Sequence, residues 1–152
     1  MAITTAICNT YKQEVLQGLH LAANTYKIAL IKVAAAGTYG ASVTNAGTPG
    51  SGAPTTANLG TDEAAGTGYT SGGASLAGFS ATLQSSTGCL DFTTPTWTTS
   101  TISATGAMIY NSSVSNRAVS CHDFGGTISS TAGTFTATMP AVGAGTSLIR
   151  IA

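Results

Sequence analysis

From Phe79 to the C-terminus the sequence breaks into short apolar or threonine-rich runs separated by glycine, proline, serine and asparagine, and this punctuation limits the fold more than any other feature. The runs are Phe79–Leu83, Gly88–Phe92, Thr96–Thr99, Ile102–Asn111, Ala118–Phe124, Thr134–Met139 and Ser147–Ile151. Each has strand length, and they recur about every 8–15 residues, the spacing of a sandwich or barrel. Ala107, Ile109 and Asn111 alternate with Met108 and Tyr110, and Phe135 and Ala137 alternate with Thr134, Thr136 and Thr138. Such period-two patterning predicts a sheet with one buried face. No internal repeat is present, which argues against a solenoid or propeller.

Ahead of these strands, Ile7, Tyr11, Val15 and Leu19 fall at four-residue spacing, and Leu16 widens the stripe. The spacing predicts one amphipathic helix over residues 6–19, capped by Asn9 or Thr10 with Gln13 completing a capping box, and with Gly18 in its last turn. Lys12, Gln13 and Gln17 take the opposite face. Tyr26 to Val33 predicts the first strand, with Ile28 and Leu30 on one side and Lys27 and Ile31 on the other. Residues 34–74 are glycine, alanine, threonine and serine with Pro49 and Pro54, and carry almost no apolar periodicity. Loops in compact domains rarely exceed about 12–15 residues unless they are functional or disordered, so an arm, a lid or a lattice-contacting loop is expected here. The expected fold is therefore mainly β: a single domain over 1–152, built as a β-sandwich or barrel-like antiparallel sheets with one N-terminal amphipathic helix and a long Gly/Ala/Thr-rich loop.

Only 7% of the residues are charged, 43% are hydrophobic and the formal net charge is zero. With a mean hydropathy of +0.26, this is the reverse of a disordered composition. A neutral surface lacks the self-repulsion that keeps soluble monomers apart and suits packing against partners. Lys12, Lys27, Lys32, Arg117 and Arg150 are scattered, so no cluster of the kind that neutralises nucleic-acid phosphates is present. The longest apolar run, Ile28–Ile31, is far short of the roughly 20 residues that span a bilayer. Met1 to Thr5 lacks the basic and apolar regions of a signal peptide, so synthesis and use without export is expected. Cys8, Cys89 and Cys121 are odd in number and lack metal-ligand spacing, which points to buried thiols, with an intersubunit disulfide through one of them as the alternative.

Read in order, several stretches resemble a family of small bacteriophage virion proteins. They are Ile7–Leu16, Tyr26–Leu30, Gly66–Gly73, Ile109–Asn111, Asn116–Val119, Asp123–Gly126, Gly133–Thr136 and Leu148–Ala152. The stretches Ala35-Ala36-Gly37 and Pro49-Gly50-Ser51-Gly52 look like part of an insertion relative to that pattern. The resemblance implies a virion component made in the host bacterial cytoplasm, and within that class a capsid decoration (cement) protein, with a tail-fibre or baseplate component that binds the host surface as the alternative. It implies the major capsid protein and other copies of the chain as partners, and lattice symmetry favours a homotrimer. The contact candidates are Tyr11, Val15, Leu19, Tyr39, Pro49, Pro54, Tyr69 and Trp97, drawn from the helix, the long loop and the aromatic residues.

The residues offer little chemistry. The histidines are His20 and His122, and in a strand Cys121 and Asp123 point away from the face that His122 occupies, so a triad or a metal site from these neighbours is not expected. Asp62-Glu63 reads as a solvated loop pair. Gly66–Gly73 lacks the lysine of a phosphate-binding loop and reads as turns with positive φ. Asn111-Ser112-Ser113 reads as a turn. Trp97 with the tyrosines could form a sugar-stacking platform, but core or subunit interface is favoured. No enzyme activity and no cofactor are expected.

Overall fold

The computed structural model describes residues 2–152. In chain order the elements are β1 (Ala2–Ile3), β2 (Ala6–Ile7), helix α1 (Asn9–Leu16), β3 (Tyr26–Lys32), β4 (Thr38–Tyr39), β5 (Ala74–Ser75), β6 (Ser80–Gln84), β7 (Thr87–Asp91), β8 (Thr96–Asn111), β9 (Arg117–Thr136) and β10 (Ile149–Ile151), with a 3-10 turn at Gly60–Asp62. Strands hold 45% of the chain and helix 7%, so the protein is mainly β. The central sheet has the order β2-β9-β8-β3-β5 and a second sheet the order β10-β7-β6, while β1 pairs with β4. All pairs in the two larger sheets are antiparallel, β1 and β4 are parallel, and among the described residues no sheet closes into a barrel.

The predicted helix is shorter than its apolar spacing suggested. Ala6 and Ile7 are drawn into the sheet opposite Cys121 and Ser120, and Cys8 takes the N-cap position without a side-chain cap bond. Asn9 and Thr10 are therefore not caps. Asn9 instead accepts a hydrogen bond from Lys12 Nζ at 3.2 Å. At the other end Gly18 has φ +72°, and the amides of Gly18 and Leu19 donate to the carbonyls of Val15 and Glu14. That pair of bonds is a Schellman stop, which needs a residue in the left-handed region. It halts the helix before Leu19 can extend the stripe.

Two pairs of predicted strands are each continuous. Thr96–Thr99 and Ile102–Asn111 form β8, and Ala118–Phe124 and Thr134–Met139 fall largely within β9. The breaks in apolar pattern are bulges: register shifts fall between Trp97 and Ser100, Ser100 and Ile102, and Ala104 and Gly106. Thr99 and Ala132 adopt positive φ at these irregularities. A bulge changes which face each following residue takes, which erases simple alternation.

The register of the central sheet puts Ile28, Ile109, Ser120 and Ile7 in one row and Leu30, Ala107 and His122 in the next, all on one face. This face meets the smaller sheet and the C-terminal segment: the Tyr26 ring lies 5.5 Å from Phe79 and 5.3 Å from Phe92. The other face carries Ala29, Met108 and Cys121. It is not left to solvent, and residues 106–111 are buried on both sides, contrary to the single buried face predicted for them. The cover comes from residues 34–74.

That segment is bound along both edges of the sheet. Near β9 the Ala118 amide donates to Thr44 O at 3.2 Å and the Ala46 amide to Asn116 O at 2.9 Å. Near β3 the Ala64 amide donates to Leu30 O at 2.8 Å, and the Leu30 amide donates to the Tyr69 hydroxyl at 2.9 Å. Between the two edges the chain crosses the sheet, and Tyr39, Val43, Ala46 and Leu59 are buried on the way. Each larger side chain among them contributes about 1.5–3 kcal/mol by leaving water. A free arm or lid is thus replaced by a fixed layer of the core. At Gly73 (φ +72°) an added Cβ would collide with the Ile28 carbonyl, so close seating of this layer on β3 requires glycine there.

Candidate assembly surface

The few charges of this chain are divided unevenly between inside and outside. Glu14, Asp62, Glu63 and Asp91 are all buried, and only Asp123 among the five carboxylates is exposed. Each buried carboxylate fastens one peripheral segment to the sheets. Glu14 accepts from His20 Nε2 at 2.8 Å and from Arg117 Nε at 3.0 Å, tying α1 to β9. Asp62 accepts from the amides of Ala36 and Gly37 and from the Tyr39 hydroxyl at 2.9, 2.7 and 2.7 Å, with Lys32 Nζ at 3.3 Å. Burial works to raise the Asp62 pKa, but these donors outweigh it and hold the carboxyl below its ordinary range. Glu63 accepts from Tyr69, Ser71 and the Gly72 amide at 2.7–2.8 Å. Asp91 Oδ1 accepts from the Leu148 amide at 2.8 Å and holds the C-terminal segment. Asp62-Glu63 is therefore a structural pair, not the solvated one its loop position suggested.

Outside, large apolar side chains gather at one end. Leu16 is 89% exposed, Leu83 72% and Ile151 57%. They rim a groove between α1 and the β10-β7-β6 sheet, made of two adjoining cavities. One, of about 400 Å³, is lined by Tyr11, Val15, His20, Phe79, Leu83, Leu90, Ile149 and Ile151 among others. The other, of about 390 Å³, shares Tyr11, Val15, Ile149 and Ile151 and adds Ile7, Leu16, Lys12 and Arg150. The groove exists because α1 packs by only one turn's width: Tyr11 and Glu14 are its buried residues, leaving the Val15 and Leu16 side uncovered. A contiguous exposed apolar patch of this kind is a candidate interaction surface.

Of the predicted contact residues, the structure brings Tyr11 and Val15 to the groove and no others. Leu19 is exposed beyond the Schellman stop, outside the groove lining. Pro49 and Pro54 are half-buried in the covering layer. Tyr39 is buried against Asp62, so it has no surface to offer a partner. Trp97 is only 7% exposed, stacked on Tyr69 at 5.9 Å and edge-on to Phe135 at 5.8 Å. Tyr26, Tyr39 and Tyr110 are buried as well, while Tyr69 is half-buried with its hydroxyl donating to Glu63 at 2.8 Å, so Trp97 and the tyrosines form no exposed platform. Leu83, Ile149, Ile151, Lys12 and Arg150 were not among the predicted contacts. The alternation Ile149-Arg150-Ile151 carried the signal for the two isoleucines, being a short edge strand with both apolar side chains on one face.

Cys8, Cys89 and Cys121 are all reduced and buried. Cys8 Sγ faces the Gly40 carbonyl at 3.9 Å, and its hydrogen bond with Cys121, together with burial, raises the Cys121 thiol pKa. Cys89 lies in the lining of the larger groove cavity, and no disulfide joins any two of the three within the chain.

His122 lines a third cavity, of about 330 Å³, between the central sheet and residues 137–150. Its Nε2 lies 2.8 Å from Ser120 Oγ, the residue two positions back on the same face. Burial pushes the His122 pKa down to about 4, so the ring is neutral near pH 7. Among the described residues no carboxylate hydrogen-bonds this ring, and no group of three histidine, cysteine, aspartate or glutamate side chains is arranged to hold a metal ion. Likewise, among the described residues no helix is long and apolar enough to cross a membrane.

No protein-family model, curated protein or solved structure matches this chain.

Proposed function

We propose that this protein is a structural component of a phage particle, and specifically a capsid decoration protein that holds the mature head lattice through non-covalent contacts. The observation that carries the structural role is the apolar groove between α1 and the β10-β7-β6 sheet, with Leu16, Leu83 and Ile151 standing out from its rim. The virion assignment is supported by the likeness of the stretches Ile7–Leu16, Tyr26–Leu30, Asp123–Gly126 and Leu148–Ala152 to small virion proteins. The two facing sheets, with the groove and the His122 cavity opening between them, we read as an open sandwich.

A protein that binds only the assembled lattice stabilises it by mass action, since each bound copy lowers the free energy of the assembled state alone. Interfaces of about 1,600 Å² in total suffice for specific association, and repetition over a shell adds avidity. The covering layer of residues 34–74, sewn down by Asp62 and Glu63, gives the subunit a rigid body to present that surface. Trp97 and most of the tyrosines that a host-binding role would employ are buried, and no observation favours that alternative.

Quantitative mass spectrometry of purified particles tests this reading. A stoichiometry that tracks the major capsid protein is the expected result, whereas a copy number matching tail or baseplate components, or absence from particles, would overturn it.

A further inference from the structure

Lys12 and Arg150 both line the cavity of about 390 Å³ at the α1 end of the groove, beside Ile7, Tyr11, Val15 and Ile149. Both residues are exposed. Lys12 Nζ bonds only Asn9 Oδ1, at 3.2 Å, and Arg150 Nη1 only the Gly145 carbonyl, at 2.7 Å. Among the described residues neither has a carboxylate within ion-pair distance; the ion pairs present are His20–Glu14, Lys32–Asp62 and Arg117–Glu14. Four of the five aspartate and glutamate side chains are buried, and the exposed one, Asp123, borders the His122 cavity, which Arg150 also borders, without forming an ion pair with it.

We infer that this cavity receives a protein segment that inserts an apolar side chain between α1 and β10 and sets one or more carboxylates against Lys12 and Arg150. The inference rests on the assembly role proposed above and names the chemistry of the partner. Charge decides between possible occupants. A second copy presenting the same face would bring Lys12 and Arg150 against their own equivalents, and like charges brought together across an interface suppress pairing. The apolar walls favour burial of a leucine-sized group, and the two cations favour an acidic flank. The segment belongs to a different chain, such as the surface this protein decorates.

Two synthetic peptides with the same leucine-rich centre, one flanked by glutamates and one by lysines, test the inference on the full chain by amide chemical-shift mapping. The glutamate-flanked peptide is expected to bind saturably and to shift the amides of Tyr11, Val15, Ile149 and Ile151. The lysine-flanked peptide should bind about tenfold more weakly, because two charge contacts turn from attraction to repulsion. In the double variant Lys12→Glu, Arg150→Glu, both positions being exposed, the order of the two peptides should reverse. Equal affinities, shifts confined to other surfaces, no binding at millimolar peptide, or an unchanged order in the double variant would overturn the inference. So would binding to phosphatidylglycerol vesicles in place of either peptide. Capsid-like stoichiometry with failed peptide binding would sink the inference alone, and the opposite pair of results would keep this surface while removing the decoration role.

Discussion

Glu14 on helix α1 and Arg117 at the start of β9 meet at 3.0 Å, and the opposite oxygen of Glu14 is taken by His20, whose other ring nitrogen faces the Asn111 side-chain amide at 3.1 Å. One buried carboxylate thereby joins the helix, the turn that follows it and both strands of the β8–β9 hairpin. The helix that borders the groove is positioned chiefly by this group and by Tyr11.

Replacing Glu14 by alanine should therefore cost about 3–5 kcal/mol, the usual loss when one partner of a buried charged network is removed. Glu14→Gln, which keeps the shape and one acceptor, should cost less. Urea unfolding of the two variants measures the difference, and equal stability of wild type and Glu14→Ala would show that α1 is held by packing alone.

Stability should fall as pH is lowered from about 6.5 toward about 4. The ordinary histidine pKa is 6.5 and that of His122 in the folded chain is about 4, so between these values the unfolded state holds a proton that the folded state refuses. The unfolded state gains from every step into acid within that window, up to about 3 kcal/mol in all. Asp62, whose folded pKa is depressed, acts in the same direction at lower pH, its contribution being lost as pH falls through the folded value. In His122→Gln the upper part of the slope should flatten, which chemical denaturation at a series of pH values would reveal.

Glycine substitutions at two left-handed positions should separate strain from collision. Gly125 has φ +74° with open space around its missing Cβ, while Gly73 has φ +72° with the Ile28 backbone in the way. Gly125→Ala should cost about 1–2 kcal/mol, the conformational term alone. Gly73→Ala should cost clearly more, because β3 or the covering layer must move. Thermal denaturation of both variants provides the comparison.

Leu16→Ser and Leu83→Ser should leave stability within about 0.5 kcal/mol, since both side chains are largely in water. On the decoration role proposed above, particle binding should weaken with each, by about 1–2 kcal/mol for a leucine that becomes buried at the interface. Loss of fold in either variant would show that the groove rim is part of the core.

Much of the strand content was readable because β3, β6 and β7 keep their apolar residues in compact runs; Tyr26–Val33 differs from β3 by one residue. The covering layer was not, and the reason is physical. Its buried side chains, Tyr39, Val43, Ala46 and Leu59, are spaced irregularly because the chain there crosses strands instead of running along them. Its seating depends on Asp62 and Glu63, whose sequence context looks like any solvated acidic pair. The groove was half legible: Tyr11 and Val15 follow from helical spacing, but the stop at Gly18 and the arrival of Ile149 and Ile151 from the far end of the chain do not. Ser120 beside His122 was open to the same period-two argument that separated His122 from Cys121 and Asp123.

The pairing of Tyr26 with Asn111 and Leu30 with Ala107 also sets a timetable. As the chain leaves the ribosome, β3 emerges with only the two-residue β5 to meet before β8 is made, and the layer that crosses the sheet has nothing yet to cross. Contacts of such long sequence separation form slowly and leave apolar strands open in the meantime. The β8–β9 hairpin, whose halves follow one another directly, is the first large piece able to close. The N-terminal half of this protein must then wait, unsheltered, for its C-terminal half to be synthesised.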